Sequence, residues 1–389
     1  MKQSRIQLYL LGLPVAGLLL GICISCSMSD VVEGGTSSGG ATPDVPNTKL
    51  EASLGFAGTE VVSRAIYDGV GLAGADCIGK VHVSLASFAD GGYSSYADSN
   101  TSAVYTAEAR PGGAPGELIW REDRAVFLSD NNAVVFGYAP LEGTGDVLSG
   151  DPSITPSDVT IGDLVIKADQ TFDATDVKRN TCNQTDYLFA TRSSVRATPV
   201  QDIVSRADRH TILYLHHSLA RVSFKVRKGE GEPAVDEHDF VKKIKLFSDR
   251  NDFRQGTGVW MSLVDGTLSG TVATDTLSFS AETGKALQLA AFDETGGFAG
   301  VPCQLYGLVA PLVETDKRMG MELTVGNNDG TTSADRVYRT GRDHERLSVD
   351  WERGKEYIYS VSVTDRALDV QLVQIVDFKP GGEEEFLVD

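Results

Sequence analysis

The sequence predicts an all-β protein, and three observations predict it. Apolar and polar residues alternate with period two in many short runs, the pattern of a strand with one face buried. Glycine is abundant, 41 of 389 residues, and turn-forming clusters recur about every ten residues, the spacing of short strands joined by tight turns. No stretch carries helical periodicity together with the caps that a long helix needs. The length suits two domains better than one.

The central stretch 210–227 organises this pattern. Leu213 and Leu215 share one parity, whereas Ala220, Val222, Phe224 and Val226 share the other, with Arg221, Ser223, Lys225 and Arg227 alternating outward. A one-residue slip sends every side chain of a strand to the opposite face. The parity change across His217 and Ser218 therefore requires a bulge, a bend or a switch between sheets, and marks the entry into a second β domain.

Taken in order, Leu50, Ala52, Leu54 and Phe56 form the first alternating strand, followed by Val61-Val62 and Ser63-Arg64-Ala65. Val81, Val83 and Leu85 point inward in the next, over 79–88, and 118–120, 125–128 and 133–138 supply three more. The Gly-, Ser- and Asp-rich segment 89–116 reads as loop. Strands follow at 159–166 and 187–190, then a polar link over 192–209. Beyond the centre, short strands are expected at 241–247, 259–264, 277–280, 286–292 and 304–310. Asn327 to Gly330 reads as a turn joining 319–325 to 335–338. Tyr357, Tyr359, Val361 and Val363 alternate in a strand that pairs as a hairpin with Leu368, Val370 and Leu372, because the connection 364–367 is short. That pairing leaves 373–389 as the spare segment. Val373, Ile375 and Phe378 precede Pro380-Gly381-Gly382, and Phe386 and Val388 follow it.

At the start, Lys2 and Arg5 precede a largely apolar run over 6–24 and then Ser25-Cys26. That order is a signal peptide, too short and wrongly flanked for a membrane span. A small residue immediately before cysteine resembles a bacterial lipoprotein signal, which makes Cys26 the lipidated first residue, anchored to a membrane surface through acyl chains. Residues 27–48, rich in Ser, Gly, Thr and Pro, read as a flexible tether. The tether holds Gly35-Thr36-Ser37-Ser38-Gly39, formally a hydrolase nucleophile elbow, but no strand precedes it and no helix follows it.

Charge and cysteine usage narrow the function. The formal net charge is -19, with 54 acidic against 35 basic residues, the opposite of a nucleic-acid binder. Of five cysteines, Cys23 and Cys26 belong to the signal, which leaves Cys77, Cys182 and Cys303. Three scattered thiols make neither a disulfide framework nor a zinc site. His210, His216 and His217 invite a metal-site reading, but adjacent strand residues face opposite ways and no carboxylate or Cys cluster completes a set. Trp120, Trp260 and Trp351 lie in or beside strands and are expected in cores rather than as a sugar platform. Asp249, Asp252 and Asp329 lack calcium-loop spacing. No nucleophile, base and orienting residue come together, so no enzyme activity and no cofactor is expected.

Four pieces of the chain, in order, resemble the fimbrillin-like subunits of the lipoprotein-derived (type V) pili of Gram-negative gut and oral anaerobes. They are the lipoprotein signal followed by a strand ending in Ser63-Arg64-Ala65, and Trp120 through Tyr138-Ala139-Pro140. The third is Leu215-His216-His217-Ser218-Leu219-Ala220-Arg221-Val222, with His217 at the family's His-x-Leu-Ala histidine. The last is Trp351, Gly354, Tyr357 and Tyr359. Phe378 stands where many relatives carry Trp. The resemblance implies two β-sandwich domains of transthyretin-like topology, here 65–205 and 206–389, behind a signal at 1–25, a tether at 26–49 and a removable strand at 50–64. It also implies an outer-membrane lipoprotein precursor cut by an arginine-specific protease between Arg64 and Ala65. Subunits then polymerise into a fimbrium by donor-strand exchange, with other pilin subunits as partners, the C-terminal tail as a possible donor strand and a host or bacterial receptor as a further contact. The other reading is a surface lipoprotein that binds glycan or host protein without polymerising; its N-terminal strand would be permanent.

Overall fold

The computed structural model describes residues 48–56, 80–97, 100–109, 118–141, 148–175, 182–193, 201–248, 250–295, 297–312, 318–340, 347–364 and 368–377. The expectations for the signal, Cys26, Arg64, Ala65, Asp249, Phe378 and the acidic tail fall outside them. Among the described residues there is no helix. The strands are β1 (Thr48–Lys49), β2 (Glu51–Phe56), β3 (Lys80–Ala89), β4 (Gly92–Ser95), β5 (Ser102–Ala109), β6 (Leu118–Glu122), β7 (Phe127–Leu128), β8 (Ala133–Ala139), β9 (Ser153–Thr155), β10 (Asp158–Ile166), β11 (Asp169–Phe172), β12 (Leu188–Thr191) and β13 (Asp202–Val204). Then come β14 (His210–His217), β15 (Ala220–Lys228), β16 (Phe240–Phe247), β17 (Phe253–Ser262), β18 (Leu268–Ser269), β19 (Val272–Thr274), β20 (Thr276–Ala281), β21 (Leu305–Val309), β22 (Arg318–Gly326), β23 (Arg336–Arg339), β24 (Leu347–Ser348), β25 (Lys355–Val363) and β26 (Leu368–Asp377). The protein is all-β, as the periodicity predicts.

The largest sheet runs β2-β14-β12-β8-β3-β5-β6, with β13 on β8 and β4 on β3. Its centre is β8, Ala-Val-Val-Phe-Gly-Tyr-Ala, buried throughout. A strand buried on both faces reads as a continuous apolar run, and β8 divides its side chains between two cores. Ala133, Val135 and Ala139 join Leu50, Leu54, Val83, Tyr105 and Leu213 on one face. Val134, Phe136 and Tyr138 join Ile161, Leu164, Val259 and Met261 on the other. Gly137 keeps this centre tight, because a Cβ there would sit 3.1 Å from the Ala190 Cβ and 3.2 Å from the His82 carbonyl oxygen.

A third core joins the six-stranded sheet β11-β20-β16-β22-β23 to the four-stranded sheet β21-β15-β25-β26. Val222, Phe224, Val226, Tyr359 and Val361 come from the smaller sheet, and Ile244, Leu246, Phe279, Met321 and Leu323 from the larger. The parity break lies at a switch between sheets. β14 pairs with β12 and β2 in the largest sheet, and after Ser218 and Leu219 the chain enters β15, which pairs with β21 and β25. Strands on the two sides of residue 206 also share sheets, since β10 pairs with β17 and β11 runs parallel to β20.

Four local expectations are corrected. Segment 89–116 holds two strands, β4 and β5; the latter, Ser-Ala-Val-Tyr-Thr-Ala-Glu-Ala, buries Ser102, Ala103 and Tyr105, and with one large apolar side chain among small and polar ones it gives a weak apolar signal. The link 192–209 holds β13, where the polarity is inverted: Asp202 is buried and accepts a 2.6 Å hydrogen bond from Thr211 Oγ1, while Ile203 is exposed. Segment 286–292 makes only isolated bridges through Gln288 and Ala290. Residues 373–377 are not spare, because β26 runs on to Asp377, paired in register with Lys355.

Candidate functional site

The site is the N-terminal strand and the groove it fills. β2 lies at the edge of the largest sheet, parallel to β14, with Glu51 opposite His210 and Phe56 opposite Leu215. Just before it, β1 pairs with β7, and the Leu50 N–H donates to the Val126 carbonyl at 2.8 Å. One short segment therefore satisfies backbone groups of two different strands. Its alternating residues do the rest: Leu50 and Leu54 are buried in the core under the sheet, and Ala52 packs beside them with Trp120. Full burial of two leucines contributes roughly 3–6 kcal/mol of transfer free energy.

The outward side is clamped by charge. Glu51 takes Arg209 Nε at 2.9 Å and His210 Nδ1 at 3.0 Å, and Lys49 pairs with Glu122. All these pairs are at least partly exposed, so each is worth little alone. The sequence signal for the clamp is only a Glu on the outward parity of an apolar strand.

Three of the four segments that carry the family resemblance meet around this sheet. β14 ends at His217, opposite Leu188 of β12, and Leu188 in turn lies opposite Ala139 of β8, next to Tyr138. The Tyr138 hydroxyl donates to the Gly150 carbonyl, and its ring stacks on His82. Leu219, within the His-x-Leu-Ala segment, accepts a 2.7 Å hydrogen bond from the N–H of Gly354. Gly354 has φ +65°, a left-handed conformation that glycine adopts without strain. Nearby, Trp351 is fully buried, stacks on Phe253 and donates from Nε1 to the Tyr359 hydroxyl at 2.9 Å. Arg64 and Ala65 lie outside the described residues.

The histidines do not converge. His216 hydrogen-bonds Thr191 Oγ1 and the Ser193 carbonyl, His217 Nδ1 meets Asp186 Oδ2 at 2.7 Å, and His210 sits at the exposed clamp. Among the described residues no group of three or more His, Cys, Asp or Glu is placed to hold a metal ion. Burial pushes the Cys182 thiol up to about 11 and raises that of Cys303, so neither is a ready nucleophile. Trp351 is core and Trp120 half-buried, as expected, but Trp260 is 44% exposed, its ring over Gly162. Asp252 bonds the Ser248 hydroxyl in a buried pair, and Asp329 caps its own turn through Thr331.

The sequence matches no family model, and no curated protein matches it. Solved structures similar to it include a fimbrial protein from Bacteroides vulgatus, with 11% identity, 86% of this chain and 100% of that one covered, and a TM-score of 0.47. Another is a candidate cell adhesion protein from Bacteroides ovatus, with 15% identity, coverages of 86% and 98%, and a TM-score of 0.47. The tip fimbrial protein Mfa3 from Porphyromonas gingivalis, with C-terminal truncation, has 10% identity, coverages of 79% and 96%, and a TM-score of 0.35.

Proposed function

We propose that this chain is a structural subunit of a cell-surface fimbrium. In this reading it is exported as a lipoprotein acylated at Cys26 and carried to the outer membrane. An arginine-specific protease then cuts between Arg64 and Ala65, and a strand from a neighbouring pilin replaces the one removed. The observation that carries the reading is the placement of β2, an edge strand whose Leu50 and Leu54 reach into the core while its backbone covers one side of β14. Removing an edge strand exposes unpaired backbone groups and apolar pockets, which another extended segment can fill. The four sequence segments resembling fimbrillin-like subunits point the same way. No catalytic role belongs to this reading.

The experiment is to incubate purified precursor with an arginine-specific protease and resolve the products without boiling. A ladder of multimers from the parent, and none from Arg64→Ala, is the expected result. Assembly by Arg64→Ala at the parental rate would place the cut elsewhere. Cleavage at Arg64 without any multimer would remove the polymerising reading in favour of a surface binding protein.

A further inference from the structure

A second feature of the molecule is independent of the N-terminal strand. A cavity of about 600 Å³ opens between β17–β18 and the start of β25, lined by Arg254, Leu268, Pro311, Glu352, Arg353 and Lys355 among others. Arg254 and Arg353 are half-buried. Among the described residues neither guanidinium pairs with a carboxylate; Arg353 makes a 3.4 Å contact to Thr267 Oγ1 and lies 5.8 Å from the Phe189 ring centroid. In a chain of net charge -19, two half-buried arginines with no acidic partner among the described residues, lining the cavity together with the apolar Leu268, Ala310 and Pro311 and with Lys355 against the single exposed carboxylate of Glu352, suit an anionic segment with apolar side chains.

The chain carries such a segment, and it starts at the rim. β26 ends at Asp377, whose carboxylate meets Lys355 Nζ at 2.7 Å, and Lys355 lines the cavity. Residues 378–389 follow, ending in Glu383-Glu384-Glu385-Phe386-Leu387-Val388-Asp389. A dozen residues reach roughly 40 Å when extended, more than enough to enter. We propose that residues 383–389 dock in this cavity of their own chain, with carboxylates on Arg254 and Arg353 and the Phe-Leu-Val tip over Leu268, Ala310 and Pro311. A tether this short gives an effective concentration on the order of millimolar, so weak contacts suffice. Docking holds the tail in cis and competes with any use of it between subunits.

The test is timed trimming of the full chain by a broad-specificity carboxypeptidase, following release of the last four residues by mass spectrometry. The double variant Arg254→Glu/Arg353→Glu should lose those residues about tenfold faster than the parent, the ratio of a docked to a free tail at a binding free energy of about 1.4 kcal/mol. Adding Glu383→Lys, Glu384→Lys and Glu385→Lys to it should restore protection. If the double variant unfolds early, the three tail substitutions alone, which leave the cavity intact, should expose the tail to the same extent. Equal trimming of parent and variants overturns the proposal. Protection that grows with protein concentration also overturns it, since the tail then docks in a second copy.

Discussion

His82 shows how one side chain couples the fold to pH. It is buried on β3, its Nε2 lies 3.3 Å from Asp151 Oδ1, and its Nδ1 has no hydrogen-bond partner among the described residues. Burial lowers its pKa below the ordinary 6.5, and the nearby Asp151 offsets this only in part. The unfolded chain therefore binds a proton near pH 6.5 that the folded chain refuses until lower pH. The stability His82 contributes is full above that value and is lost as pH falls through it toward the folded pKa. Replacing His82→Gln should shrink the fall in unfolding midpoint between about pH 7.5 and about pH 5.5. An unchanged fall would mean that other groups carry the acid sensitivity. His217 is a different case, since its partner Asp186 is fully buried and, among the described residues, no other side chain hydrogen-bonds its carboxylate. His217→Ala should cost roughly 3–5 kcal/mol in denaturant unfolding, because it strands a buried acid. A cost near that of a surface substitution would show water reaching the acid. Opposite-facing His216 and His217 were legible from strand periodicity alone; their separate partners, more than twenty residues away in sequence, were not.

At the scale of the element, what the sequence shows best is parity. The alternation of β25, β15 and β10 matches their burial, and the break at His217-Ser218 marks the jump between sheets. Strands with small or inverted side chains escaped, as β5 and β13 show, because their burial is set by neighbours rather than by their own hydropathy. The close approach of β21 to the third core was equally hidden. Gly307 faces the Phe279 ring, where a Cβ would lie 2.0 Å from the nearest ring carbon. Gly307→Ala must push a fully buried aromatic out of its rotamer, at a cost of about 1–3 kcal/mol. Thermal unfolding measures this directly, and a neutral result would mean that β21 shifts as a unit. The partner Phe279→Leu should recover part of the loss, whereas two independent defects would add.

For the whole molecule, β2 matters because it joins what the rest of the chain leaves open. It covers the edge of β14, and the residues just before it pair with β7 across the same core. The alternating strand of Leu50, Ala52, Leu54 and Phe56 and the arginine after it could be read from sequence, but the parallel pairing to β14 could not. That pairing joins residues some 160 positions apart, and no local signal specifies so distant a partner. Leu54→Ala should therefore cost about 2–5 kcal/mol in the uncut chain, by lost transfer and the cavity left behind. The same substitution should leave the chain cut after Arg64 unaffected once its N-terminal strand has departed. That contrast separates a strand that belongs permanently to the core from one that can be replaced. A peptide spanning 48–56, added to the cut chain, should raise its unfolding midpoint by mass action in proportion to ln[peptide] above its Kd. A peptide with Leu50→Asp and Leu54→Asp should not, since each charge would have to enter an apolar pocket unpaired. If both peptides act alike, or neither does, the groove does not accept a free strand, and the proposed exchange at this edge is ruled out.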